Sequence, residues 1–283
     1  VLSRGVLREL RRLRPDAVAV GGWNQPAFWL ALLYCRVRRI PLLIWIESTA
    51  RDERSPARLL ALARRAMVAG AAGAFVPGRA AADYARSLGV RRVEVAPNAV
   101  DADVFGAAAV DRSARASCTF LYVGRLDREK GLDVLLRAFE EVPGRLVVVG
   151  GGPDEARLRA LASGRVEFAG VRGRDELVRF YAEADVFVLP SRSEPWGMVL
   201  NEAATAALPL VTTEEVGAGH DLVEHGVNGF RVPAGDVEAL RAALARLAAD
   251  APFRIAAGAR SHELAQRLTA DEWAAGVSRL AEA

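Results

Sequence analysis

Two cations stand five residues apart in the stretch GRLDREKG, residues 124–131: Arg125 and Lys130. Lys130 is the single lysine of the chain, and the other 37 of its 38 basic residues are arginine. A guanidinium offers a planar fork to phosphate oxygens, and an ammonium offers a compact point charge on a flexible stem. The run RLVVVG (145–150) ends in the glycine turn GGGP (150–153), and VFVLP (186–190) leads into SRSEPWGMVLNEA (191–203). A helix starting near Trp196–Gly197 would leave Glu194 in the loop before it and Glu202 about two turns in. The amides of residues 197–200 would then lie at a helix N-terminus, which attracts anions. A carboxylate at each end could accept from vicinal hydroxyls of sugar rings. Together these groups could hold a diphosphate flanked by two sugars. Glu194 as a helix cap and Glu202 as a surface acid is the plainer alternative.

These residues need a scaffold that delivers them to one rim. Short apolar runs alternate with helical patterns along most of the chain, which predicts parallel sheets covered by helices. In the first half the expected strands are 16–20, 41–46, 73–77 and 93–98, separated by helices at 26–38, 56–69 and 79–88. The second half predicts strands at 119–124, 145–150, 166–170, 186–190 and 208–213. Its helices are expected at 131–141, 153–162, 174–183, 197–207 and 236–249. The tail 252–282 reads as helical, with Trp273, Val277 and Leu280 on one stripe. At the start, Leu2, Val6, Leu10 and Leu13 line one face of a further helix, and FWLALLYC (28–35) reads as a buried one. The polar segment AAAVDRSARAS (107–117) reads as a linker. The predicted class is α/β, two Rossmann-like domains facing a cleft, with ligands at the strand C-termini. Domain 1 is placed at 1–107, a linker at 108–117, domain 2 at 118–260, and a helix over 261–283 crossing back to domain 1.

Three motifs, GRL-x-x-EKG, VVVGGGP and SEPWGMVLNEA, followed by HGVNGFRVPAGDVEAL (225–240), resemble the retaining GT-B glycosyltransferases of family 4. The phrase APNAVDADVF (96–105) resembles that family's segment at the end of its N-terminal domain. The resemblance implies a nucleotide-diphosphate-sugar donor and an acceptor that is a glycan, a lipid-linked molecule or a small molecule. It also implies that Arg125 and Lys130 neutralise the diphosphate, that Glu194 lies beside the transferred sugar, and that Glu202 holds the ribose. Gly124, Gly150, Gly151, Pro195, Gly197, Met198, Val199 and Leu200 would line the donor, and Phe168 and Val171 would flank the base. Trp196 stands where the family more often has Phe or Gly, a change expected to reshape the sugar pocket. No cofactor or metal is expected, because the resemblance implies that these cations take a metal's place. A nucleotide-sugar epimerase, or a binding fragment without transfer activity, are the alternatives.

The first half is short for the family, so its N-terminal domain is expected to be incomplete and the chain truncated. It has no histidine, and the loop GGWNQP (21–26) offers Asn24 and Gln25 instead, while Glu47 and Ser48 follow an expected strand. These four are expected on the acceptor side, with helix capping an equal alternative for Glu47 and Ser48. Residues 1–106 carry 17 arginines against 9 acidic residues, a formal +8, and the remainder is at −5. That asymmetry suits an anionic partner or a membrane surface, or no more than a solvated arginine-rich face. It is not read as a nucleic-acid site. Cys35 and Cys118 are far apart and match no metal spacing, and the three histidines form no cluster. Buried thiols and a reducing compartment follow. No apolar run reaches the ~18 residues of a membrane span, and no secretory pattern opens the chain. The expected location is cytoplasmic, with peripheral contact at the inner membrane face.

Overall fold

Runs rich in Val, Leu and Ile become strands buried on both faces here, because each sheet is parallel and sandwiched by helices. The structure, a computed structural model, describes residues 4–52, 58–113, 115 and 117–282. The chain divides into two units, one of Val1–Asn98 with Ala270–Ala283, the other of Ala99–Thr269.

In the first unit the order is α1 (Arg4–Leu13), β1 (Val18–Val20), α2 (Pro26–Arg38), β2 (Leu42–Trp45), α3 (Arg58–Gly70), β3 (Gly73–Val76), α4 (Arg79–Ser87) and β4 (Val93–Val95). Among the described residues the strands form a parallel sheet in sequential order, β1-β2-β3-β4. Pro26 at the first position of α2 suits its fixed φ. Ile44, Met67, Ala74 and Val76 are fully buried at its centre, with Cys35 beside them. Val6 and Leu10 pack on this core as their spacing predicted, but Leu13 is exposed at the end of α1. Leu2 lies outside the described residues. Within 28–35, Ala31, Leu32 and Cys35 are buried while Leu33 faces solvent, so α2 is covered on one side only.

The second unit runs α5 (Ala102–Gly106), β5 (Thr119–Val123), α6 (Leu132–Phe139), β6 (Arg145–Val149), α7 (Glu155–Leu161), β7 (Val166–Gly170), α8 (Arg174–Glu183), β8 (Val186–Leu189), α9 (Met198–Thr205), β9 (Leu210–Thr213), α10 (Gly219–Leu222), β10 (Gly229–Val232), α11 (Val237–Ala249) and α12 (Ala251–Ala265). Its parallel sheet has the order β10-β9-β8-β5-β6-β7. The winding direction therefore reverses between β5 and β8, and a crevice opens outside strand C-termini at such a reversal. β10 was not expected, because its four residues, GFRV, sit among turn residues; its pairing with β9 makes it a strand.

The tail is two helices, not one. Asp250 caps α12 through the amide of Phe253, and the chain breaks at 266–269 before α13 (Ala270–Ala281). α13 lies on the first unit: Leu280 is buried with Leu43, Phe75 and Ala96, Val277 packs on them, and Trp273 meets Phe75 edge-on at 6.2 Å. Gly276 permits this approach, since a Cβ there would lie 2.4 Å from the Val95 carbonyl oxygen.

Both expected domain boundaries shift. Residues 99–107 belong to the second unit, because Phe105 and Ala108 join its core and Phe105 stands edge-on to Tyr181. Residues 261–269 do so as well, through Ala265 and Leu268. The described part of 107–117 is no free linker. Arg112 donates to the carbonyls of Ala108, Val110, Tyr181, Ala184 and Ala206. Arg115 adds bonds to the carbonyls of Ala182, Glu183 and Ala184 and to Asp185. Helix C-termini leave carbonyls without partners, and these two guanidiniums fill that need.

Candidate functional site

The loops that leave β5 and β8 meet at the reversal point. Lys130 Nζ donates to Glu194 Oε2, with both side chains largely covered, 14% and 15% exposed. Residues 128–130 form a single 3₁₀ turn capped by Asp127, whose carboxylate accepts from the amides of Glu129 and Lys130. Gly131 ends that turn at φ 64°, and a Cβ there would lie 2.1 Å from the Pro190 carbonyl oxygen. Only glycine lets the two loops approach this closely. Arg192 clamps them: its amide donates to Glu129 O at 2.7 Å, its Nη1 to Arg128 O at 2.8 Å, and its fork grips Asp133 at 2.8 and 3.0 Å. The guanidinium holds the Asp133 carboxyl below its usual range. Glu194 is fixed from the other side by Glu215 O accepting from its amide and by its carbonyl accepting from Gly217 N.

The second carboxylate sits differently. Glu202 is on α9, partly buried, and Tyr181 OH donates to its Oε2 at 2.7 Å. Burial raises its carboxyl above the usual range, and the Tyr181 bond and the Arg174 charge oppose that rise. One carboxylate oxygen is thus occupied and Oε1 remains for a ligand. α9 begins after Gly197, at φ 96°. The amide of Leu200 already bonds Gly197 O at 2.8 Å, so the N-terminal amides aimed at an anion narrow to those of Met198 and Val199. Ser191 Oγ, at the end of β8, is buried without a hydrogen-bond partner among the described residues.

The glycine turn serves the scaffold as well as any ligand. A Cβ on Gly150 would lie 1.8 Å from Gly124 O, and one on Gly152 would lie 2.4 Å from Leu126 O. Leu126 N bonds Gly151 O, so the turn is laced to the loop that carries Arg125. Arg125 itself is 72% exposed and pairs with Asp127 at 3.1 Å. Val171 is exposed just past β7, beside Gly151, and Phe168 is partly buried under the Arg159 guanidinium at 4.6 Å. An ammonium, two open amides and two carboxylates around one strand-end crevice can bind an anion flanked by hydroxyl groups.

The family described as Glycosyl transferases group 1 matches residues 117–250, and that described as Glycosyltransferase Family 4 matches residues 1–104. A glycogen synthase of Mycobacterium tuberculosis is 32% identical over 287 residues, covering 93% of this chain and 67% of that protein. The chain belongs to glycosyltransferase family 4. Its fold is GT-B: HepE of Anabaena, solved in complex with UDP, superposes with a TM-score of 0.80 at 20% identity over 98% of this chain and 82% of that one. The sulfoquinovosyl transferase SQD2 of Arabidopsis thaliana is 33% identical over 164 residues, 56% of this chain and 32% of that protein. The chain therefore spans about a third of that relative's length.

In this family-4 chain several residues stand elsewhere than expected. Trp196 is 3% exposed in the core, its indole Nε1 donating to Asn201 Oδ1 at 3.1 Å. Leu200 is likewise fully buried core, whereas Met198 is exposed and Val199 half-buried. Pro195 packs its carbonyl against Gly217, where a Cβ would approach to 1.9 Å. In the first unit, Asn24 and Gln25 are exposed before α2, and the Gln25 side chain makes no cap bond. Glu47 Oε1 accepts from Asn98 Nδ2 at 2.9 Å. Ser48 is half-buried, and the residue that accepts the next turn's amide is Thr49, from Arg51 N at 3.3 Å. Arg192, Asp133 and Tyr181 are the site-supporting residues that sequence reading passed over. The only available signal was Arg192 standing at a strand exit, two residues before Glu194. Both cysteines are buried free thiols. Among the described residues no three of His, Cys, Asp or Glu come together as a metal site requires, and no helix is long and apolar enough to cross a membrane.

Proposed function

We propose that the chain carries the donor-binding and transfer machinery of a retaining glycosyltransferase that uses a nucleotide-diphosphate sugar. The observation that carries this reading is the Lys130–Glu194 pair at the sheet's reversal point. Without donor, each side chain neutralises the other. A diphosphate entering between Lys130 and the α9 N-terminus takes Glu194's place on the ammonium. Glu194 is thereby released to accept from hydroxyls of the sugar to be transferred. Glu202 Oε1 accepts from the ribose, with Tyr181 holding the carboxylate in position. Arg125, exposed and paired with Asp127, closes on the diphosphate from outside. Val171, with Phe168 behind it, supplies apolar surface beside the base. That HepE was solved with UDP supports a uridine donor.

The chemistry follows charge. The bond from the anomeric carbon to the diphosphate oxygen breaks, and its electron pair leaves with the diphosphate. The acceptor hydroxyl oxygen bonds to that carbon on the same face, and its proton passes to the departing diphosphate oxygen there. Lys130, Arg125 and the Met198 and Val199 amides are pre-placed where negative charge grows, the electrostatic form of catalysis. No metal is needed to supply that charge. The acceptor is a glycan, a lipid-linked molecule or a small molecule. Asn24, Gln25, Glu47 and Ser48 are assigned to its side, and the basic first half to contact with an anionic membrane face in the cytoplasm.

The test is calorimetry with UDP-, GDP- and ADP-sugars, followed by product analysis with glycan and lipid acceptors. Donor binding weakened tenfold or more by Glu194→Gln, together with turnover of one donor, is the expected result. Binding without transfer or donor hydrolysis would reduce the reading to a nucleotide-sugar-binding chain. Inversion at C2 of the free nucleotide sugar would replace it with an epimerase.

A further inference from the structure

A second cavity of about 190 Å³ lies at the other end of the second unit's sheet, where the strands begin. Asp185 and Pro209, which immediately precede β8 and β9, form part of its wall, and Ala207, Ile255 and Ala259 supply apolar surface. Ala207 follows the C-terminus of α9, whose N-terminus is at Gly197. The eight residues of that helix put about 12 Å between this cavity and the donor crevice. The cavity is distinct from the site described above.

Its charged groups differ in how far they are already committed. The guanidiniums of Arg112 and Arg254 line it, and Arg115 stands beside Asp185. Both Asp185 oxygens are taken, Oδ1 by Arg115 and Oδ2 by the amide of Thr119. Asp111 at the exposed margin accepts from Ser113 N. The lining thus holds two guanidiniums and two carboxylates, and because Arg115 outside it pairs with Asp185, no carboxylate among the described residues is seen paired with Arg254. Every nitrogen of Arg112 already bonds a backbone carbonyl, so most of its donors are committed to the scaffold. Burial, and after it the charge of Arg115, push its guanidinium down to about 10, with Asp185 opposing. Arg254 spends Nη1 alone, on Leu247 O and Ala248 O. Its Nε and Nη2 have donors left for a ligand.

We propose that this cavity is a binding site for a small monocarboxylate with an apolar body, the carboxylate taken by Arg254 and the body by the Ala207–Pro209–Ile255 wall. The volume suits such a molecule, since apolar cavities of about 150 Å³ take up benzene. A charge-assisted bond to the carboxylate gives selectivity over a neutral molecule of the same shape.

Benzoate and benzamide are the probes, titrated against the whole chain by ligand-observed NMR. Benzoate should bind at least about tenfold more tightly than benzamide, the worth of one charge-assisted bond. Arg254→Gln should erase that difference. Ala259→Phe, at an exposed position on α12, should fill the cavity and abolish benzoate binding while far-ultraviolet circular dichroism stays unchanged. Lys130→Ala should leave benzoate binding intact. Equal affinity for the two probes, no benzoate binding at millimolar concentration, or loss of binding in Lys130→Ala would each overturn the proposal. Should Arg254→Gln not fold, retention of benzoate binding by Ala259→Phe would do so alone.

Discussion

Lys130 and Glu194 are 64 residues apart in sequence, yet they share a hydrogen bond across the two strands between which the second sheet reverses its winding. Both loops reach that point because a glycine removes the obstruction and Arg192 clamps them. The pair is therefore a property of the scaffold, not of two flexible side chains meeting by accident.

Lys130→Arg should fold normally and lose about 10²-fold or more in turnover of the nucleotide sugar. A planar guanidinium cannot occupy the covered position of the ammonium beside Glu194 and then follow a departing oxygen. Steady-state rates alongside a thermal melt decide it. Near-normal turnover would mean that any cation suffices there.

Arg192→Ala removes two bonds to Asp133 and one to Arg128 O without touching a ligand. It should destabilise the fold by about 1 kcal/mol or more and raise the donor KM more than it lowers kcat. The pairing also has a pH signature. Asp133's folded carboxyl is depressed, so its stabilisation is complete above the ordinary aspartate value of about 4 and lost as pH falls through the lower folded value. Urea midpoints between pH 2 and pH 6 should show this acid loss in the parent and a smaller one in Arg192→Ala.

Glu202 has the opposite sign. Burial raises its folded carboxyl, so the stability it contributes falls as pH rises from the ordinary glutamate value of about 4.3 through the raised one. Glu202→Gln should gain stability relative to the parent across that window while weakening donor binding tenfold or more. Tyr181→Phe, which loses the bond at 2.7 Å, should shift the acid limb of donor affinity upward. An unmoved limb would separate Tyr181 from the carboxylate's titration.

Gly150→Ala should cost about 3 kcal/mol or more. The position has φ 138°, and a Cβ would meet Gly124 O at 1.8 Å. Equilibrium denaturation measures it directly. A cost below 1 kcal/mol would show that the two loops can separate without penalty.

Strands such as TFLYV and VFVL were legible because burial on both faces writes an unbroken apolar run. The rim was legible for a related reason: its residues immediately follow such runs. What could not be read depends on partners distant in sequence. The burial of Trp196, with its indole bonded to Asn201 in the core, is not written in the local run. The segment 107–117 looked free because its composition is small and polar, yet Arg112 reaches carbonyls up to 94 residues away. GFRV lacks the length of a strand signal and becomes one only beside β9.

The scarcity of lysine has an experimental consequence. Apart from the chain's α-amino group, Lys130 is the single primary amine available to acylating reagents. Its side chain is 14% exposed and its Nζ is held by Glu194, so its modification rate reads the state of that bond. Mass spectrometry of a briefly acylated sample would follow one peptide, without any engineered tag. A donor that displaces Glu194 would change that peptide's labelling and no other, making the protein its own occupancy gauge.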